Sequence, residues 1–345
     1  MAEETPQVRV GLPRPVTPPA SAGLRENGVH STEPAAQPKR SRRGQPTKFL
    51  GLSPGRWGVV LAGTVIFAVV AVLAARWLVT TVPFQSFLRT YPGVYKLPPE
   101  TPVGFPAWVQ WQHFLSAFFI VLIVRSGLSV RNEKHPTAYF SLRRPSSGHG
   151  KISIALWLHQ SVDVLWVVNG AVFVALLFLT GQWARIVPTS WAVFPNAVSA
   201  LIQYVSLHWP ADDGWANYNS LQQLSYFLVV FIAAPLAILT GVRMSTIWPA
   251  RAKTLSRAYP IEWARAIHFP VMLFFVAFTF VHVVLVFATG ALRNLNHMYA
   301  GSDVVSWTGF SIFAASLLIM VAAWFAVRPV VLAPIARLFG KVTSR

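Results

Sequence analysis

Six long apolar runs dominate this chain, at Trp57–Val79, Trp108–Val130, Ile154–Gln182, Leu224–Thr246, Ile267–Gly290 and Trp307–Val327. Each reaches the roughly 18 to 20 residues that a helix needs to cross the hydrocarbon core of a bilayer. Lipid offers no water to backbone N–H and C=O groups, so such a run must satisfy them within itself, as a helix. The expected fold is therefore an all-α integral membrane protein with six transmembrane helices. Composition agrees: hydrophobic residues make up 54% and charged residues 12%, with a mean hydropathy of +0.49, outside the range of soluble domains. Trp57, Trp77, Trp108, Trp111, Trp183, Trp248, Trp263 and Trp307 stand near the ends of the runs. An amphipathic ring suits the headgroup zone there, so most of the tryptophans read as interface anchors.

Lysine and arginine set the orientation. Lys39, Arg40, Arg42, Arg43 and Lys48 precede the first run, and Arg131, Lys134, Arg143, Arg144 and Lys151 follow the second. Arg251, Lys253, Arg257 and Arg265 follow the fourth, and Arg328, Arg337, Lys341 and Arg345 follow the sixth. The alternate connections carry fewer cations. Both termini are therefore expected in the cytoplasm of a cell whose inner, or plasma, membrane holds the protein. The net charge of +18 follows from that topology and from attraction to anionic lipid, and requires no nucleic acid. The sequence divides into a disordered basic cytoplasmic tail over 1–48, an extra N-terminal span over 57–80, a four-helix core over 107–301, and a last span with a second basic tail over 307–345. The first run starts too far from Met1, and is too long, for a cleaved signal peptide. Ser190–Trp209, apolar at helical spacing but interrupted by Pro195, reads as an interfacial helix on the outer surface.

Ionisable side chains inside a membrane are expensive and point to function. Four histidines qualify: His113 at the start of the second run, His159 at the start of the third, and His268 and His282 flanking the fifth. The last two are 14 residues apart. At about 100° per residue they share one helix face, and at about 1.5 Å rise they are separated by ~21 Å. The orientation puts His159 and His268 near the cytoplasmic side and His113 and His282 near the outer side, so the four pair by depth. Two bis-histidine sites stacked across a bilayer are what two b-type haems require: two axial nitrogens each, in a dry slot between helices. Zinc would need three or four ligands in one sphere, which this spacing forbids. Cysteine is absent, which removes disulfides, thiolate clusters and covalently attached haem. Candidate propionate contacts are Arg265 or Arg243 for the inner haem, and Gln110, Gln112 or Arg293 for the outer one. Asp163, one turn after His159, is the most unusual charge in a span. It is open to a role in orienting the imidazole, in a proton relay or in a helix contact. His297 is the one loop histidine that could replace His282. His30, His135, His149 and His208 read as solvated.

The stretch His113–Gly301 resembles the four-helix cytochrome b561 and nickel-iron hydrogenase type of membrane cytochrome b, which includes the cytochrome b subunits of formate dehydrogenase. Three segments carry the likeness: "QHFLSAFFIVLIVRSGLSV", "YNSLQQLSYFLVVFIAAPLAILTGVRM" and "RAIHFPVMLFFVAFTFVHVVLVFATGALRNLNHMYAG". The first ends in a Ser-Gly-Leu turn, the second opens Tyr-Asn-x-x-Gln and closes Thr-Gly, and the third holds two histidines at the family's separation. The resemblance implies haem pairs His113/His282 and His159/His268. It also implies a quinone site near Asn219 and Gln222, whose alternative role is an ordinary helix cap. Phe114 stands where the family has tryptophan, and "HQSVDVLW" matches the second helix weakly. A span before His113 inverts the core relative to members whose first helix starts in the cytoplasm.

The expected function is that of a di-haem cytochrome moving electrons between a quinone pool and a partner oxidoreductase subunit, molybdopterin-dependent or hydrogenase-like. No acid-base or nucleophile cluster points to chemistry beyond that. The rival is a cofactor-free transporter or proton-conducting permease that uses the same histidines as a relay.

Overall fold

A computed structural model describes residues 54–142, 150–209, 214–249 and 253–344. The tail expected over 1–48, and with it His30, lies outside the described residues, as does His149. The chain divides into two compact units, Met1–Val60 and Leu61–Arg345. The described part of the first unit forms the opening turns of α1 (Pro54–Leu78). The second unit completes α1 and continues with α2 (Val82–Thr90), α3 (Ala107–Asn132), β1 (Ala138–Leu142), β2 (Ile152–Ser153), α4 (Ile154–Leu179) and α5 (Val193–Val205). Next come α6 (Ser220–Phe227), a π-turn over Leu228–Ala233, α7 (Ala234–Met244), α8 (Lys253–Ala258) and α9 (Ile261–Ala288). The chain closes with α10 (Ala291–Leu295), a second π-turn over Asn296–Ala300, α11 (Thr308–Ala326), α12 (Pro329–Phe339) and β3 (Gly340–Ser344).

Among the described residues six helices are long and apolar enough to span a membrane: Gly55–Leu78, Ala107–Asn132, Ile154–Leu179, Ser220–Met244, Ile261–Ala288 and Thr308–Ala326. The all-α membrane fold read from the sequence is the fold observed. Large apolar side chains such as Phe67, Leu73, Phe280 and Leu318 are mostly exposed, which suits a surface solvated by acyl chains.

The helix ends depart from the hydropathy limits for local reasons. Asn219 caps α6 reciprocally: its Oδ1 accepts from Gln222 N and its own N donates to Gln222 Oε1. That box starts the fourth span before its first apolar run. Gly181, with φ +75°, stops α4 short of Gln182 because the left-handed conformation suits glycine. Pro260 precedes α9, and the polar turn with Glu262 and Arg265 is helical although it is not oily. In the fourth span Pro235 lacks an N–H, and the π-turn over Leu228–Ala233 ends two residues before it, absorbing the lost bond and the ring's bulk. The proline that seemed to interrupt Ser190–Trp209 sits in the first turn of α5, where no intrahelical partner is needed.

The C-terminal region holds what the sequence reading lacked. β1 pairs antiparallel with β2 (Tyr139 opposite Ser153) and with β3 (Ala138 opposite Ser344 through Leu142 opposite Gly340). α12 lies against this small sheet. Phe140, Ile154, Leu332 and Ala336 form the buried centre of that packing, with Trp157 beside it.

Candidate functional site

α3 packs on α4 and α7 on α9, and across the space between these two helix pairs the four membrane histidines face one another in two couples. The ring centres of His113 and His282 are 6.3 Å apart, with planes at 63°. Those of His159 and His268 are 6.4 Å apart, with planes at 84°. The pairs stand at opposite ends of α9. The separation suits a metal held between them: an iron between two imidazole nitrogens at about 2 Å each sets ring centres roughly 6 Å apart. Among the described residues no group of three or more His, Asp and Glu side chains converges as a metal site. Two protein ligands per metal are sufficient only when a macrocycle supplies the rest, so the residues present fit haem and not bare zinc.

The His159 pair is oriented by hydroxyls. Ser126 Oγ lies 3.0 Å from His159 Nδ1, and Thr240 Oγ1 lies 2.8 Å from His268 Nδ1. Each hydroxyl has one proton, and each already donates it along its own helix, Ser126 to Leu122 O at 2.7 Å and Thr240 to Leu236 O at 2.6 Å. With those protons on the helix carbonyls, the hydroxyls accept from Nδ1–H. That fixes the tautomer and leaves the Nε2 lone pairs free to bind a metal. Glycine follows each hydroxyl and gives the ring room. A Cβ on Gly127 would stand 3.1 Å from His159 Cε1, and one on Gly241 would stand 3.7 Å from His268 Cε1. Asp163 Oδ2 lies 3.7 Å from His159 Nε2, on the nitrogen that Ser126 does not use.

The His113 pair is held by aromatic rings instead. Phe278 stacks on His282 at 5.7 Å and 8°, Tyr226 meets His282 edge-on at 6.0 Å, and Tyr299 meets His113 at 5.9 Å. Among the described residues no hydrogen bond holds either ring. Around this end Gln112 Oε1 and Trp108 Nε1, one turn apart on α3, are buried without partners. Between these pairs Asn169 Nδ2 donates to Ser116 Oγ across the α3–α4 contact at 3.1 Å.

The other residues singled out by sequence fall as follows. Asn219 is fully buried and tied to the Gln222 box and to the Tyr204 hydroxyl, so the helix cap is realised. Gln222 is half-buried, one turn before Tyr226. Arg243 Nε donates to Tyr259 O at 2.6 Å and its guanidinium lies over the Trp248 ring. Arg265 is exposed. Arg293 forms a two-pronged pair with Asp303, which also takes a 2.6 Å contact from His297 Nε2. The Arg293 guanidinium, and then His297, hold the Asp303 carboxyl down at about 2. His297 sits 5.2 Å from Trp215 and is committed to Asp303 rather than standing in for His282.

Sequence reasoning missed Ser126, Thr240, Gly127, Gly241 and Arg185. The signal for the first four was in plain view: the Ser-Gly and Thr-Gly dipeptides quoted for the family resemblance. The sequence shows that they recur; only the fold shows that each faces an imidazole. Arg185 is buried at 2% exposure, a depth that no local pattern in the sequence announces.

A family model described as prokaryotic cytochrome b561 matches residues 104–301. The putative protein-methionine-sulfoxide reductase subunit YedZ1 of Azospira oryzae is 27% identical over 188 residues, covering 52% of this chain and 88% of the relative. No solved structure matches the chain.

Proposed function

The chain belongs to the prokaryotic cytochrome b561 family, and from that premise, as a multi-pass membrane haem b protein that transfers electrons, we propose that it holds two haems and carries electrons across the bilayer between them. The observation that carries this reading is the pair of imidazole couples, 6.3 and 6.4 Å between ring centres, at opposite ends of one helix. His159 and His268 would ligate one iron, and His113 and His282 the other. Bound haem supplies a one-electron couple at each site.

The chain's own residues do the rest. Ser126 and Thr240 hold two of the rings in the tautomer that offers Nε2. Phe278, Tyr226 and Tyr299 keep water from the other two. By the distribution of lysine and arginine, the His159 pair faces the cytoplasm, as do both termini, and the His113 pair faces outward. A quinone pool is the proposed exchange partner for electrons. Gln222, one turn from the Tyr226 that touches His282, and the Asn219 that fixes its helix start supply the polar edge for a quinone headgroup. The relative's name, a reductase subunit, supports a partner redox subunit for this chain, to which electrons pass. Arg243 and Arg265 are less apt for propionates than the sequence implied, since one is tied to Tyr259 and the other is exposed.

The test is a dithionite-reduced minus air-oxidised absorbance spectrum of the purified protein, with pyridine haemochrome quantitation. About two b-type haems per chain are expected. One haem or none, in protein made with ample haem supply, refutes the reading; none would leave the histidines to a proton path.

A further inference from the structure

Arg185 is the only arginine, lysine, aspartate or glutamate among the described residues that is buried, at 2% exposure. It ends the short 3-10 turn Gln182–Arg185 that follows α4. Its Nη1 donates to Gly104 O at 2.8 Å and its Nη2 to Gly214 O at 2.6 Å. Its guanidinium carbon lies 4.5 Å above the Phe105 ring and 4.7 Å from the Tyr218 ring. Gly104 is shaped for this: its φ is +85°, and a Cβ there would stand 2.7 Å from the Trp215 ring. Carbonyl dipoles and ring faces hold a cation without cancelling it. The ion pairs formed among the described residues leave Arg185 out, and its Nε has no partner. Burial raises the Tyr218 phenol, and Arg185 pulls it back, so that phenol stays neutral and offers no counter-charge.

An uncancelled buried charge acts over long range, because low dielectric and the absence of salt leave it little screened. The Tyr218 ring beside Arg185 is two ring contacts from the His113 pair: Tyr218 to Tyr226 at 5.0 Å, then Tyr226 to His282 at 6.0 Å. We infer that Arg185 tunes the electron affinity of the site formed by His113 and His282, its charge, unpaired among the described residues, stabilising the extra electron there and raising that site's midpoint potential. The role is electrostatic positioning, not ligation. It rests on the proposed two-haem reading and adds a direction to it: electrons are drawn toward the His113 end.

The experiment is a potentiometric titration of the full-length haem-loaded protein in lipid nanodiscs, followed optically and by the low-spin ferric signals of the two sites. In Arg185→Gln, the reduced-to-oxidised ratio at the His113 end, at fixed ambient potential, should fall about tenfold, equivalent to about 59 mV for a one-electron couple. The His159 end should move by much less, and Arg185→Lys should restore most of the change. Equal movement at both ends, movement at neither, or failure of lysine to restore it overturns the inference. Should Arg185→Gln lose the haem at that end, Gly214 decides. A side chain there meets nothing within 4 Å, so Gly214→Asp sets a carboxylate beside the intact guanidinium and should lower the same potential, while Gly214→Asn should not. Identical potentials for these two variants overturn the inference. A wild-type protein with fewer than two haems overturns both this and the reading beneath it; two haems with unmoved potentials overturn only the role of Arg185.

Discussion

The two ends of the bundle hold the same pair of side chains by different means. At one end Ser126 and Thr240 each accept a hydrogen bond from an imidazole, and Gly127 and Gly241 clear space for the rings. At the other, Phe278, Tyr226 and Tyr299 press on imidazoles that, among the described residues, no hydroxyl or carbonyl fixes. A hydrogen bond to Nδ1 sets both the tautomer and the donor strength of the ligand, whereas ring packing sets orientation and excludes water. The lesson is that equal side chains need not have equal surroundings: hydroxyls fix one pair, and ring packing fixes the other.

The largest way to break this comparison is to remove one ligand at each end. His268→Ala should eliminate the haem at the His159 end alone and His282→Ala the haem at the other, each halving the pyridine haemochrome yield; loss of both from either change would mean that the ends fold as one unit. Next, Ser126→Ala or Thr240→Val should weaken haem affinity at the His159 end by about 10- to 100-fold, the range for lost outer-shell partners, with the His113 end unchanged when read by haem transfer to apomyoglobin. A smaller effect separates the two glycines. Gly127→Ala must push the His159 ring by a few tenths of an ångström, while Gly241→Ala meets an ordinary contact, so the first should alter the ferric low-spin signal and the second should leave it nearly as it was.

The smallest effect belongs to the ion-paired clamp of Arg293, Asp303 and His297 at the His113 end. Asp303 has its carboxyl held at about 2, below the ordinary 3.8. Its contribution to stability is therefore complete above about pH 4 and is lost as pH falls through about 2. Melting temperatures of wild type and Asp303→Asn should differ by a constant small amount from pH 8 to 4 and converge below that. A gap that stayed constant below pH 2 would take the Asp303 carboxylate out of the clamp's contribution.

Much of this was legible in the linear chain, because a bilayer forces long apolar runs into helices and makes each membrane histidine conspicuous. The separation of His268 and His282 encodes opposite depths, so even their partners could be read by depth. Hydropathy could not see where Asn219 or Pro260 start a helix, since caps are polar and the first turn of a span need not be oily. The Ser126 and Thr240 contacts depend on which faces of α3 and α7 meet α4 and α9, a tertiary fact with no sequence period. Arg185 is missed for the same reason: one arginine after a span reads as an interface residue until Phe105, 80 positions earlier, is folded beneath it.

The pairing of β1 with β3 bears on how such a chain is assembled. β1 is made when two of the six spans exist, and β3 only after all six, yet Ala138 stands opposite Ser344. The ladder therefore cannot close until four further helices have entered the bilayer, and until then β1 presents an unsatisfied edge. The small sheet is thus a contact that only the completed chain can form: the edge of β1, beside the helix start that carries His159, stays open until β3 has been made.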